Sequence, residues 1–85
     1  MRVLVVEVSL SMRSFVRSAL ESEPQLEEVE VVEAGSGFDA LRLLPRGPYD
    51  LVITDINMPD INGLELLQFM RKNECHRLTP VLLIS

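Results

Sequence analysis

Four short runs of aliphatic and β-branched residues alternate with three stretches of helical periodicity, and this alternation leaves few folds open to a chain of 85 residues. The runs are Arg2 to Val6, Val29 to Ala34, Leu51 to Thr54 and Val81 to Ile84, each bounded by turn or polar residues. Between the first two, Met12, Phe15, Val16, Ala19 and Leu20 recur at helical spacing, which predicts a helix with one buried stripe. Ser9 or Ser11 caps its start and Pro24 closes it. A second helix is predicted from Ser36, whose hydroxyl caps while Asp39 lies three residues on; it turns Phe38, Leu41 and Leu44 inward and stops at Pro45-Arg46-Gly47-Pro48. The third takes Asn62 as its cap with Glu65 three residues on and buries Leu66, Leu67 and Met70. Arg71 and Lys72 in its last turn suit the negative end of the helix dipole. The order β-α-β-α-β-α-β is an α/β fold, and right-handed crossovers over a parallel sheet connect it most simply.

The amount and charge of the material narrow the function. A chain that is 47% hydrophobic and 25% charged can bury one small core, so residues 1–85 are expected to form a single domain. Asp and Glu number 13 against 8 Lys and Arg, for a net charge of −5. No basic stripe can then neutralise a run of phosphates, and nucleic acid is excluded as a direct partner. The single Cys75 cannot form an internal disulfide, and no leader-like stretch precedes the first strand, so a reducing cytoplasmic setting is expected. The apolar runs are too short to span a bilayer, and no membrane role is expected.

The third run ends abruptly in a carboxylate: Leu51-Val52-Ile53-Thr54-Asp55, followed by Ile56-Asn57-Met58-Pro59-Asp60. Leu51 to Ile53 read as a strand buried on both faces, and Pro59 with Asn62-Gly63 marks the loop that follows. Asp55 therefore sits at a strand's carboxyl end, where open α/β sheets hold their chemistry, and is a candidate phosphate acceptor or metal ligand.

With these residues in place, the chain resembles the receiver domain of bacterial two-component response regulators, most specifically in Asp55-Ile56-Asn57-Met58-Pro59 with Gly63 behind it. The resemblance covers all 85 residues and implies part of a flavodoxin-like sheet, (βα)3β, with strand order 2-1-3-4. It implies that Asp55 is the phospho-acceptor position, and that Mg²⁺ is held by an acidic pair after the first strand and by a backbone carbonyl two residues beyond the aspartate. Those positions fall on Glu7, Val8 and Asn57, while Ser85 falls on the hydroxyl that contacts the phosphoryl group. The implied partner is a histidine kinase.

The chain departs from that pattern at its supports. Val8 stands where a direct metal ligand would be, and an isopropyl group cannot coordinate Mg²⁺. Glu7 keeps a carboxylate on a longer stem, so Mg²⁺ binding is expected to be weak or absent. Val8 and Leu10 together suggest a loop buried against the chain or a partner. Ser85 directly follows an apolar strand with no helix to cover it, so the sequence looks like a receiver cut after its fourth strand. The expectation is a non-enzymatic fragment, inactive in phosphoryl transfer, that self-associates as a homodimer or higher oligomer through Val81, Leu82, Leu83 and Ile84 or an uncovered face. The rival reading is a phospho-acceptor that takes a phosphoryl group on Asp55 from a histidine kinase, with missing groups supplied by a partner chain. Elsewhere, Cys75 and His76 read as a solvated turn, Asp50 and Asp60 as loop acids, Thr54 as strand packing, and Phe15, Phe38 and Phe69 as core or interface.

Overall fold

The computed structural model describes residues 1–26 and 28–85. Strands β1 (Arg2–Val6), β2 (Glu30–Ala34), β3 (Leu51–Asp55) and β4 (Val81–Ile84) alternate with helices α1 (Leu10–Ser22), α2 (Gly37–Leu43) and α3 (Gly63–Lys72), and a single 3₁₀ turn, Leu44–Arg46, extends α2. All strand pairs are parallel and the sheet order is β2-β1-β3-β4, as the resemblance implies. The second strand starts at Glu30 rather than Val29, and the third runs on to include Asp55.

The helix starts follow the expected capping chemistry. Ser9 accepts from the Met12 amide at 3.3 Å and Ser36 from the Asp39 amide at 3.0 Å. Asn62 and Glu65 form a reciprocal capping box, at 2.8 and 2.9 Å, so two otherwise unpaired amides at the start of α3 are satisfied.

The sheet is covered on both faces. Leu4, Val6, Val52 and Ala34 pack under α2 and α3 with Ala40, Leu44, Leu66 and Met70. Val3, Val5, Val31 and Ile53 form the opposite face, joined by the half-buried Val16 and Leu20 of α1. Edge strand β2 is held by charge as well as by its ladder: Glu33 pairs with Arg17 and lies 3.8 Å from Arg13, fastening α1 to the sheet, while Glu30 pairs with Arg2 at 3.2 Å.

Three expectations about packing are corrected. No residue of α1 is fully buried, and Met12, Phe15 and Ala19 face solvent, because α1 packs on β1 and β2 and leaves the β4 side of that face open. Phe38 is exposed as well, since α2 presses its Gly37, Ala40 and Leu43 side inward. A Cβ on Gly37 would stand 2.2 Å from Ile61 Cγ1, so only glycine allows that close approach. Phe69 is exposed too, so of the core-or-interface reading of the phenylalanines only the core half falls away. His76, finally, is not in a solvated turn: it is 2% exposed, with Nε2 2.8 Å from the Leu44 carbonyl oxygen, whereas Cys75 beside it is exposed.

Candidate functional site

The carboxyl ends of β1, β3 and β4 converge. Register pairs Val6 with Thr54 and Asp55 with Ile84, so Glu7, one residue beyond β1, stands beside Asp55. Glu7 is buried: its amide donates to the Ala34 carbonyl oxygen at 3.0 Å and its carboxylate accepts from the Ser9 amide at 3.1 Å. Its burial sets it apart from a solvated strand-end acid. Asp55 is half-buried, and its carboxyl is pushed up from 3.8 to about 6, first by burial and then by hydrogen bonding to and repulsion from Glu7, with the Val8 amide acting in the opposite sense. Below that pH the Asp55 carboxyl takes up a proton. Among the described residues, no Lys or Arg forms an ion pair with either of them.

The loop after Asp55 is tightly positioned. The Ile56 amide donates to the Ile84 carbonyl oxygen at 2.9 Å, and the Gly63 amide to that of Ile56 at 2.8 Å. Gly63 backs directly onto the strand, for a Cβ there would come within 2.2 Å of the Asp55 carbonyl oxygen. Asp60 accepts from the Gly37 and Phe38 amides at 3.1 and 2.8 Å, so it caps the start of α2 from a different loop. These backbone hydrogen bonds, that from Phe38 foremost, hold its carboxyl below the usual range. Sequence reasoning read Asp60 as a loop acid, and no local signal could reveal a partner 23 residues away. Asp50 has a similar long-range role, accepting from the Arg2 amide at 2.7 Å.

Other candidate residues fall around this centre. Asn57 and Ser85 are exposed, and Thr54 is buried with its hydroxyl donating to the Asp55 carbonyl oxygen at 3.1 Å. Val8 and Leu10 are 44% and 66% exposed, which corrects the expectation that this loop is buried against its own chain. The donors suit a hard divalent cation in kind, since Glu7 and Asp55 are adjacent carboxyls with no positive charge between them. They are few: among the described residues, no three His, Cys, Asp or Glu side chains cluster in a way that could hold a metal ion.

A parallel sheet in the order 2-1-3-4 is the arrangement shared with known proteins. A family model of the response regulator receiver domain matches residues 3–85. The chain belongs to the response regulator receiver domain family. It is 36% identical to chemotaxis protein CheY-3 of Vibrio cholerae, over all of this chain and 63% of that protein. It is 38% identical to protein-glutamate methylesterase/protein-glutamine glutaminase 2 of Carboxydothermus hydrogenoformans, over 99% of this chain and 22% of that protein. Among solved structures, chemotaxis protein CheY4 of Vibrio cholerae superposes with a TM-score of 0.85 at 32% identity, over 96% of this chain and 65% of that one. The N-terminal domain of a response regulator receiver protein from Methanoculleus marisnigri gives 0.87 at 30% identity, over 99% and 65%. The chain thus spans less than two thirds of the length of these relatives. Receiver domains of response regulators serve phosphorelay signalling, and this one shares their parallel flavodoxin-like sheet. Among its described residues, no helix is long and apolar enough to cross a membrane.

Proposed function

We propose that this receiver domain keeps Asp55 as its phospho-acceptor position but is inactive in phosphoryl transfer, and that it works by self-association. The observation that carries the first part is the Glu7–Asp55 pair with the isopropyl group of Val8 beside it. A phosphoryl group moving from a histidine nitrogen of a kinase to an Asp55 oxygen brings further negative charge to two carboxyls that already repel one another. Bound Mg²⁺ would be held by Glu7, Asp55 and the main-chain carbonyl of Asn57, and would supply positive charge against the phosphoryl oxygens. Val8 adds no side-chain oxygen to that set, so the cation is held weakly. The Ser85 hydroxyl is the phosphoryl-contact position, and its exposure leaves it poorly fixed.

Support for self-association comes from the α1 face of the sheet. Leu82 shares that face with Ile53, yet is 52% exposed, and Phe15 on α1 is 68% exposed. A second copy seated along β4 would cover them and would give the edge strand a pairing partner. Light scattering on a sizing column is expected to give a discrete multiple of the chain mass. Treatment with acetyl phosphate and Mg²⁺ is expected to label the protein no more than it labels an Asp55→Asn variant. A dilution-stable monomer would overturn the assembly, and rapid labelling lost on Asp55→Asn would favour the second reading: an acceptor served by a histidine kinase and completed by a partner chain.

A further inference from the structure

Strand β4 is the last in the sheet order, so one of its edges faces β3 and the other faces outward. The Val52 amide donates to the Pro80 carbonyl oxygen at 3.0 Å, and the Ile56 amide to that of Ile84 at 2.9 Å. Along a strand the amide and carbonyl of one residue point to the same edge and those of the next to the other. Pro80, Leu82 and Ile84 therefore direct their backbone groups to β3, while Val81, Leu83 and Ser85 direct theirs outward.

The two edges of the sheet are guarded differently. Edge strand β2 carries Glu30, whose side chain is largely exposed, and Glu33. From Leu78 to Ser85 the chain has no charged residue. Charged side chains on an edge discourage a further strand, and β4 lacks them. Adding a copy at β2 through the β4 of another would also make a head-to-tail contact that does not close, whereas β4 against β4 closes about a twofold axis.

One register of that pairing uses every outward group. With the axis at Leu83, the two Leu83 residues exchange both backbone hydrogen bonds, and Val81 does the same with Ser85 of the second copy. Leu82 then stands opposite Ile84 of the second copy, in the class of pair that brings side chains closest, with Cα atoms about 4.5 Å apart. Both residues lie on the α1 face, where Leu82 is half exposed, so each covers the other across the axis.

We infer that two copies of this chain pair through β4, antiparallel about a twofold axis at Leu83, and that the pairing fixes Ser85 through hydrogen bonds to Val81 of the second copy. The inference rests on the self-association proposed above and gives it an orientation, a register and a link to the site, since Ser85 is the phosphoryl-contact position. Four paired residues at about 3.3 Å each make a strip of roughly 13 Å. That is too little for the roughly 800 Å² per partner of a standard interface, so the dimer is expected to dissociate on dilution through the micromolar range. Each copy carries a net charge of −5, and added salt is expected to strengthen the pairing.

Amide hydrogen exchange on the unmodified protein reads the register. The Leu82 and Ile84 amides are expected to be protected at every concentration, and the Leu83 and Ser85 amides to gain about tenfold protection between low-micromolar and millimolar protein. In a Cys75→Ser background, Leu83→Cys is expected to form a disulfide-linked dimer with oxidised glutathione, because its Cα atoms meet about 5.5 Å apart. Leu82→Cys is not, because this register sets its two copies roughly 8 Å apart, beyond disulfide reach. A Leu83 amide that exchanges equally at both concentrations, in a protein whose mass doubles, overturns the register and leaves self-association standing. A crosslink at Leu82→Cys instead of Leu83→Cys does the same, by placing the two sheet faces together. Masses that climb without limit also overturn it, in favour of head-to-tail growth. A single-chain mass at every concentration overturns both this inference and the self-association on which it rests.

Discussion

Replacing Asp55 by asparagine is expected to stabilise the domain, and to do so only above a defined pH. Burial and Glu7 raise the folded-state pKa of Asp55 from 3.8 to about 6. A carboxyl raised in this way favours the folded state fully below about pH 4, and the contribution is lost as pH rises through about 6, because the folded protein resists releasing the proton that the unfolded chain gives up freely. At full strength that difference amounts to about 3 kcal/mol. Asp55 is only half-buried, so solvent screening lowers the expectation to about 1–2 kcal/mol at pH 7.5. Asparagine keeps the shape and can donate its amide N–H to Glu7, so the packing is unchanged while the charge is gone. Urea unfolding at fixed protein concentration would read a gain of about 1 M in midpoint at pH 7.5, shrinking towards none near pH 4. Glu7→Gln should give part of the same gain, and the double variant less than the sum, since each change removes the same repulsion. A neutral or destabilising Asp55→Asn at pH 7.5 would refute the reasoning. A gain that persisted unchanged at pH 4 would also refute it, by assigning the effect to packing rather than to charge.

Four other changes test separate parts of the structure. Gly63→Ala forces a Cβ to within 2.2 Å of the Asp55 carbonyl oxygen, a main-chain atom that cannot swing aside, and a loss of at least about 2 kcal/mol in urea unfolding is expected; an unchanged midpoint would show that the strand and loop yield easily. Asp60→Ala removes the acceptor of two α2 amides and should lower the thermal midpoint at neutral pH; because Asp60 is held below its usual acidity, its contribution is present above about pH 4 and lost as pH falls through its folded value, so variant and parent should converge in strong acid. Leu82→Lys places a charge on the open face and should leave circular dichroism intact while reducing the mass in light scattering to that of one chain; an unchanged multiple would remove β4 from the interface. Val8→Asp supplies a third carboxylate beside Glu7 and should make the thermal midpoint rise on adding millimolar Mg²⁺, by about 1 kcal/mol of linkage, where the parent responds little; equal responses would show that Val8 does not limit cation binding.

Local rules made the strands and helices legible because each element announces itself within a few residues: β-branched runs for the sheet, and Ser9, Ser36 and Asn62 with their acceptor geometry for the helix starts. The strand order came through the resemblance carried by the residues around Asp55, and the parallel register agrees with it. What stayed hidden depended on distant partners. Periodicity located the apolar stripe of α1 but could not say that its Phe15 end lies outside the contact with β1 and β2. In α2 the inward phase was set by Gly37 meeting Ile61, and large apolar residues were the wrong guide to it. His76 reads as polar and solvated until the Leu44 carbonyl, 32 residues earlier, is seen to accept its proton. The site itself was legible as a pair of carboxylates, whereas the burial of Glu7 was not, since it requires the Ala34 carbonyl and the Ser9 amide to close around it.

The β3–α3 connection shows why such a carboxylate stays in place when its surroundings change. Its first residue, Ile56, is tied to β4, its end at Gly63 is pressed onto Asp55, and its middle is fastened to α2 by Asp60, so three neighbouring elements fix the path independently of any metal ligand. Glu7 and Val8 lie on the other side of the site, after β1, where a side chain can change without disturbing those ties. Position and chemistry are therefore carried by different residues: the scaffold holds Asp55 beside Glu7 whether or not a cation offsets their charge. A fold that keeps two carboxyls facing one another without that offset loses stability at neutral pH. The pH dependence of Asp55 is thus the thermodynamic trace of two carboxyls that the framework holds together.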